Sequence, residues 1–190
     1  MSFDKKRFHI DTIMLFTVLI IVMTGCSSPL DEQRDEFNLR VYPSFLEMNN
    51  GEETFISIWV DQADGLISAR FTLSYDPEVI EVVRILTSGL SYLFSEAEAD
   101  VFELEKVIDN ENGTLIFGLG AQKKGFTGAE GSGALAEIVI KAKTTGTSEI
   151  KFIDNRPDDV MTNAYSETSE AGWVEHPVVT FNGIIQVTEQ

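Results

Sequence analysis

The sequence has 190 residues, 43% of them hydrophobic, and carries a formal net charge of −17 at pH 7. That length supports one buried core but not two, and the composition is that of a folded chain rather than a disordered one. A surface so acidic repels nucleic acid and anionic lipid head groups and excludes direct binding to either, while a single cysteine excludes an internal disulfide.

Lys5, Lys6 and Arg7 form a basic start, and Ile13 to Met23 is a continuous apolar run. As a helix that run spans about 16 Å, well short of a hydrocarbon core of about 30 Å. It reads as a cleavable signal rather than a stable span. Met23-Thr24-Gly25-Cys26 follows. This segment is similar to the lipobox of bacterial lipoprotein precursors, although Met23 stands where Leu is usual. The likeness implies cleavage that leaves residues 1–25 as a signal peptide and a lipid on Cys26. It also implies residence in the cell envelope outside the cytoplasm, at the outer membrane in a diderm because Ser27 follows. Membrane contact then runs through the anchor alone. Residues 26–37 are polar and charged and read as a tether, which leaves 38–190 as the folded domain.

From Asn38 onward, apolar and polar residues alternate between turn signals, and no stretch keeps a helical period beyond two turns. The spacing predicts strands at Asn38–Tyr42, Thr54–Val60, Leu66–Tyr75, Val79–Leu86, Val101–Asp109, Thr114–Leu119, Ala134–Lys143, Ser148–Ile153 and Val178–Val187. Asn49-Asn50-Gly51, Asp64-Gly65, Asp76-Pro77, Asn112-Gly113 and Thr145-Gly146 separate them as turns. A helical turn is expected at Glu96 to Val101, and long loops at Gly120–Gly133 and Asp154–Pro177. Short strands with this punctuation make an all-β sandwich, a single monomeric domain rather than an α/β enzyme.

The stretch Gly65 to Val82, running through Tyr75-Asp76-Pro77, resembles a cohesin domain. The resemblance continues in order through Gly133–Lys143, Glu149–Ile153 and Phe181–Val187. It implies a nine-stranded jelly-roll sandwich and a dockerin-like partner, or another exported protein, in a setting of polysaccharide degradation. It also implies that binding uses the outer face of the sheet built from the third, fifth, sixth and eighth strands. On this chain that face is expected to present Ser68, Arg70, Thr72 and Ser74, then Ile116 and Gly118, then Glu149 and Lys151. Type I cohesins carry an Asn and an Asp where this chain has Ser68 and Arg70, and often a large apolar residue where it has Gly118. Exchanging an acid for Arg reverses the electrostatics of a contact, so a type I dockerin is disfavoured. Arg70, a cation mid-strand in an acidic chain, is then either a candidate for a partner-selecting contact or, equally, a surface arginine paired with a neighbouring Glu.

Two other readings compete. Direct carbohydrate binding wants exposed, coplanar aromatics, and if Ile56, Ile58 and Val60 face the core, Phe55 and Trp59 lie outward, with Trp173 and Tyr165 near enough in the late loop to join them. A structural envelope lipoprotein is the third reading. Catalysis has little to stand on. His176 is the one histidine left after processing, and Cys26 is the one thiol. Gly120 to Thr127 lacks the Lys-Ser/Thr of a phosphate loop. Asp109 to Gly113 lacks the outer ligands of a calcium loop and reads as a hairpin turn. Asp154, Asn155, Asp158 and Asp159 carry oxygen donors suited to Ca²⁺, but their spacing matches no calcium motif, so no cofactor is expected.

Overall fold

Strand formers and turn residues take turns along the domain, and the backbone follows them. The computed structural model describes residues 36–87, 92–96, 98–122, 124–153, 160–163, 173–175 and 179–189, all of which fall in one unit, Gln33–Gln190. In chain order they form β1 (Asn38–Tyr42), β2 (Phe45–Asn49), β3 (Glu53–Ser74), β4 (Ile80–Leu86), the short helix α1 (Leu93–Glu96), β5 (Asp100–Asp109), β6 (Thr114–Gln122), β7 (Ala129–Ala142), β8 (Gly146–Ile153), β9 (Val160–Asn163), β10 (Trp173–Glu175), β11 (Val179–Phe181) and β12 (Gly183–Thr188).

The long strand β3 organises both layers. It bends where Gln62 (φ 53°) and Gly65 (φ 69°) take left-handed backbone and the pairing to β7 shifts register. A strand that turns such a corner can serve two sheets. Its first half pairs with β1 and β7, with β4 beyond β7 and β11 beyond β1. Its second half has β6 along one edge and β8 and β9 along the other, with β5 outside β6. β8 also pairs with β12, and β12 with β2. The result is an open all-β sandwich.

The core is what alternation dictates. Ile56, Ile58 and Val60 from the first half of β3 and Ala69, Phe71 and Leu73 from the second are buried. They meet Phe117 of β6, Ile138 and Ile140 of β7, Phe152 of β8 and Val187 of β12. The Phe71 ring packs against Phe117 and Phe152, with centroids 5.8 and 6.4 Å away. Such ring pairs add to area burial.

The Tyr75-Asp76-Pro77 segment ties four elements together. Tyr75 N–H donates to the Gly113 carbonyl, and Asp76 N–H to the Ser148 hydroxyl. The Asp76 carboxylate accepts from Glu78 N–H and forms the turn into β4. The Tyr75 hydroxyl donates to Asn110 Oδ1 at 2.7 Å, and the same amide bonds both backbone groups of Val82. Burial, reinforced by the charges of Asp109 and Glu81, pushes the Tyr75 hydroxyl up to about 12. Asp109 ends β5 and ties the hairpin turn that follows, where the sequence reading expects one. Its oxygens accept from Glu111 N–H, Asn112 N–H and the Asn112 amide. Those bonds, led by the Asn112 side chain, hold its carboxyl below the usual range.

The expected sandwich is present, but its strands divide differently. Thr54–Val60 and Leu66–Tyr75 are one strand, because Asp64-Gly65 makes a corner rather than a hairpin. Val178–Val187 breaks at Asn182, whose side chain takes the Phe152 N–H at 3.2 Å. The expected loop Asp154–Pro177 contains β9 and β10, an antiparallel pair that extends the edge of β3, and β2 lies in a stretch expected to be irregular. The helical turn falls at Leu93–Glu96, ahead of its expected place, because Leu93 and Phe94 are drawn into the core.

A candidate binding face on the β5–β6–β3–β8 sheet

Alternation that buries Phe71 and Leu73 must turn their neighbours outward. Ser68, Arg70, Thr72 and Ser74 therefore share the outer face of the second half of β3. Register fixes what stands beside them. Arg70 is opposite Gly118 and Thr72 opposite Ile116 on β6, and Ser74 is opposite Lys151 on β8. Glu149 is two residues before Lys151 on that strand and points the same way, because Ile150 and Phe152 between and after them are buried. The structure thus sets the expected residues on one side of one sheet, with Gly118 buried beneath its neighbours. Thr72 is itself buried at 6% exposure, so its neighbours rather than its own hydroxyl form that part of the surface.

Three residues on this face were not among those singled out from the sequence. Phe102, Leu104 and Val107 of β5 are 41%, 57% and 44% exposed. Phe102 is opposite Gly120, Glu105 opposite Gly118 and Val107 opposite Ile116, with a register shift between Glu103 and Glu105. Strict alternation would send Leu104 and Val107 to opposite faces; the bulge at Leu104 puts both outward. The sequence signal was the density of apolar residues of both parities in Val101-Phe102-Glu103-Leu104-Glu105-Lys106-Val107-Ile108.

Two glycines keep the surface flat. A Cβ on Gly120 would lie 2.8 Å from the Phe102 ring, so that ring rests on the bare backbone. A Cβ on Gly118 would lie 3.5 Å from Leu104 Cβ and 3.6 Å from Arg70 Cγ, which flank it.

The face's charges are matched internally. Arg70 Nε donates to Glu105 Oε2 at 2.8 Å, and Lys151 Nζ is 2.8 Å from Glu149 Oε2. The hydrogen bond from Lys151, with help from the Asn182 amide, holds the Glu149 carboxyl below the usual range. Arg70 is therefore paired with a glutamate of β5, across β6, the pairing that the sequence also allowed.

Only one of the two aromatics expected to lie outward on the first half of β3 does so. Phe55 is 53% exposed, but Trp59 is only 6% exposed. Its indole N–H donates to Asp61 Oδ1 at 3.0 Å, and its ring lies against Tyr42 and the Arg40 guanidinium. Asp61 takes Arg40 Nε at 2.8 Å in a pair whose side chains are 3% and 0% exposed. The tryptophan closes a buried ion pair, so Phe55 has no coplanar neighbour in it. Trp173 is in β10, with its side chain outside the described residues. Cys26, Asp154, Asn155, Asp158, Asp159, Tyr165 and His176 lie outside them as well. Among the described residues, no group of His, Cys, Asp and Glu is arranged to hold a metal ion.

A family model described as the cohesin domain matches residues 47–175. The chain belongs to the cohesin family. No curated protein matches it by sequence. Among solved structures it is similar to the seventh ScaB type I cohesin of Pseudobacteroides cellulosolvens, at 16% identity and a TM-score of 0.60 over 81% of this chain and 93% of that one. It is also similar to the type II cohesin of a cohesin–X-dockerin complex from Acetivibrio cellulolyticus, at 12% identity and 0.61 over 80% and 100%. A non-cellulosomal cohesin from the archaeon Archaeoglobus fulgidus gives 15% identity and 0.55 over 81% and 92%. At these identities the likeness is one of fold, and the type I and type II folds match equally well.

Proposed function

We propose that this chain is a non-catalytic docking module that holds a dockerin-bearing exported protein on the outer face of the β5–β6–β3–β8 sheet. Family membership supports the class of partner, and solved relatives include cohesins in complex with dockerins. The observation that carries the site is the convergence of Ser68, Arg70, Ser74, Ile116, Gly118, Glu149 and Lys151 with the exposed side chains of β5 on one open, flat surface. The lipobox-like Met23–Cys26 supports an extension of this reading, in which a lipid on Cys26 tethers the partner to the cell envelope for polysaccharide degradation. Direct binding of sugar has weaker support, because Trp59 is engaged in the fold.

Gly118→Arg tests the face. The added Cβ meets only ordinary contacts, so the long side chain extends outward over the sheet without disturbing the core. Calorimetry of the full-length chain in detergent, with purified calcium-loaded dockerin modules encoded in the same genome, should show wild-type binding and about a hundredfold loss in the variant. Equal affinity in both proteins would move the site off this sheet. Failure of any dockerin to bind the wild type would overturn the class of partner.

A further inference from the structure

Among the described strands β4 pairs with β7 alone, so the backbone groups that it turns away from β7 lie on an edge of the sheet. Ile80, Val82, Val83, Ile85 and Leu86 give it the composition of a strand that readily accepts a further neighbour. Across the pair, Lys143 N–H donates to the Val79 carbonyl, and by alternation Ile80 and Val82 turn their backbone groups the other way. Those groups find partners that are not strands. Ile80 N–H donates to the Asp76 carbonyl at 3.1 Å. Val82 N–H donates to Asn110 Oδ1 at 2.8 Å, and the Val82 carbonyl accepts from Asn110 Nδ2 at 3.0 Å. At the far end the Leu86 carbonyl accepts from the Tyr92 hydroxyl at 2.9 Å. We infer that Asn110 is a side-chain substitute for a neighbouring strand, which seals the edge of β4 and keeps the chain from pairing there with a second copy of itself.

A strand neighbour offers one N–H and one C=O to the residue opposite, and a primary amide offers the same two groups from one carbon. An Asn amide can be turned either way, and here two donors settle it. The Tyr75 hydroxyl at 2.7 Å and Val82 N–H at 2.8 Å aim at the same atom, which is therefore the oxygen, and the nitrogen faces the Val82 carbonyl. Burial, with the charges of Asp109 and Glu81, pushes the Tyr75 hydroxyl up to about 12. Burial, with the charge of Glu137, does the same for Tyr92, so both hydroxyls remain donors at neutral pH. Asn110 is itself held by the turn after β5 that the Asp109 carboxylate ties. A residue from the β5–β6 hairpin thus closes the edge of the layer that holds β4 and β7. Two further guards lie between the sealed points. The pairing shifts register at Val83, and the Arg84 guanidinium rests on Glu53 at 2.9 Å. Bulges and charges are ordinary ways of blunting an edge. The amide adds occupation of the backbone itself, beside the exposed apolar side chains of Val83 and Leu86 that would otherwise favour a docked strand.

Asn110→Ala opens the edge. Asn110→Asp is the milder change: it keeps an acceptor for Tyr75 and Val82 N–H but sets an oxygen against the Val82 carbonyl. Sedimentation velocity of the full-length chain in density-matched detergent, from about 10 to about 200 µM in about 0.5 M NaCl to screen its charge, reads the association. The wild type should stay monomeric, and both variants should show a monomer–dimer equilibrium. In dilute solution, hydrogen exchange at Val82 should be about tenfold faster in Asn110→Ala than in the wild type. Adding Val83→Lys to Asn110→Ala puts a charge on the edge and should restore the monomer. Ser148→Ala removes a bond to the same Tyr75–Pro77 segment but leaves Asn110 in place. Compared at the same interval below its unfolding midpoint, it should remain monomeric. Monomeric Asn110→Ala and Asn110→Asp would overturn the inference, as would a dimer that Val83→Lys does not dissolve. Equal association of Ser148→Ala would assign the effect to general loosening, and a wild type that already pairs through β4 would show that the edge is not sealed.

Discussion

At the scale of single residues, the least expected feature is an ion pair on the outward side of β1 and β3 that is nonetheless sealed from water. Arg40 and Asp61 are 2% and 0% exposed, and Trp59 adds its indole N–H to the same carboxylate. Removing charges from water costs several kcal/mol per ion, and mutual attraction offsets that only when both partners are present. Asp61→Asn keeps the volume but removes the charge that accepts from both Arg40 Nε and the Trp59 indole. The expected loss is about 3–5 kcal/mol, read as a lower urea midpoint at constant m. Arg40→Leu combined with Asp61→Leu should cost less than the single change. A double variant as unstable as the sum of its singles would mean that the pair is held by packing rather than by charge. The sequence hid this pair because Arg40 and Asp61 are residue types that ordinarily sit in water. Nothing in their spacing announced a common burial.

At the scale of elements, the turns were legible and the strand ends were not. Asn112-Gly113 reads as a turn from its residues alone, and the structure adds why glycine is needed. Gly113 has φ 65°, and a Cβ there would lie 2.2 Å from the Tyr75 carbonyl oxygen and 2.7 Å from Pro77 Cδ. Neither neighbour can yield, because the Tyr75 segment is bonded into the turn itself. Gly113→Ala should cost about 3 kcal/mol or more, combining left-handed strain with overlap. Gly51→Ala, at φ 81° with nothing within 4 Å, should cost only the strain, about 1–2 kcal/mol. Thermal unfolding of the two variants side by side checks the difference, and equal losses would remove the steric argument. By contrast, Asp64-Gly65 carries the same turn chemistry yet bends β3 between sheets. Turn residues report a change of direction, not whether the chain returns along its neighbour. The bulge at Leu104 was illegible for a related reason. It inverts the parity of a strand through backbone pairing to Gly118 and Leu119, and parity is all that alternation offers. The face was therefore readable on β3, where alternation is strict, and missed on β5, where it is not.

At the scale of the whole molecule, the proposed membrane address has to be reconciled with an acidic domain. A chain of net charge −17 gains nothing from anionic head groups. The apolar run Ile13–Met23 is short for a span, so the proposed attachment rests on a lipid at Cys26. Each buried CH₂ contributes about 0.8 kcal/mol, and a single acyl chain binds only marginally, so a cysteine bearing several chains is what makes the anchor stable. The wild-type protein should accordingly take up labelled acyl chains, run at the size of the mature form and stay with membranes through a wash in about 1 M salt, which strips ionic attachments. Cys26→Ser should carry no label and either appear in the soluble fraction or keep its signal, a difference that the larger mass of the uncleaved form reveals directly. A variant of mature size that still pellets after the wash would mean that the domain reaches the membrane by another route. An unlabelled wild type would sink the lipid anchor altogether. Neither outcome would touch the docking face, whose residues lie wholly within the sandwich and whose test uses the chain in detergent.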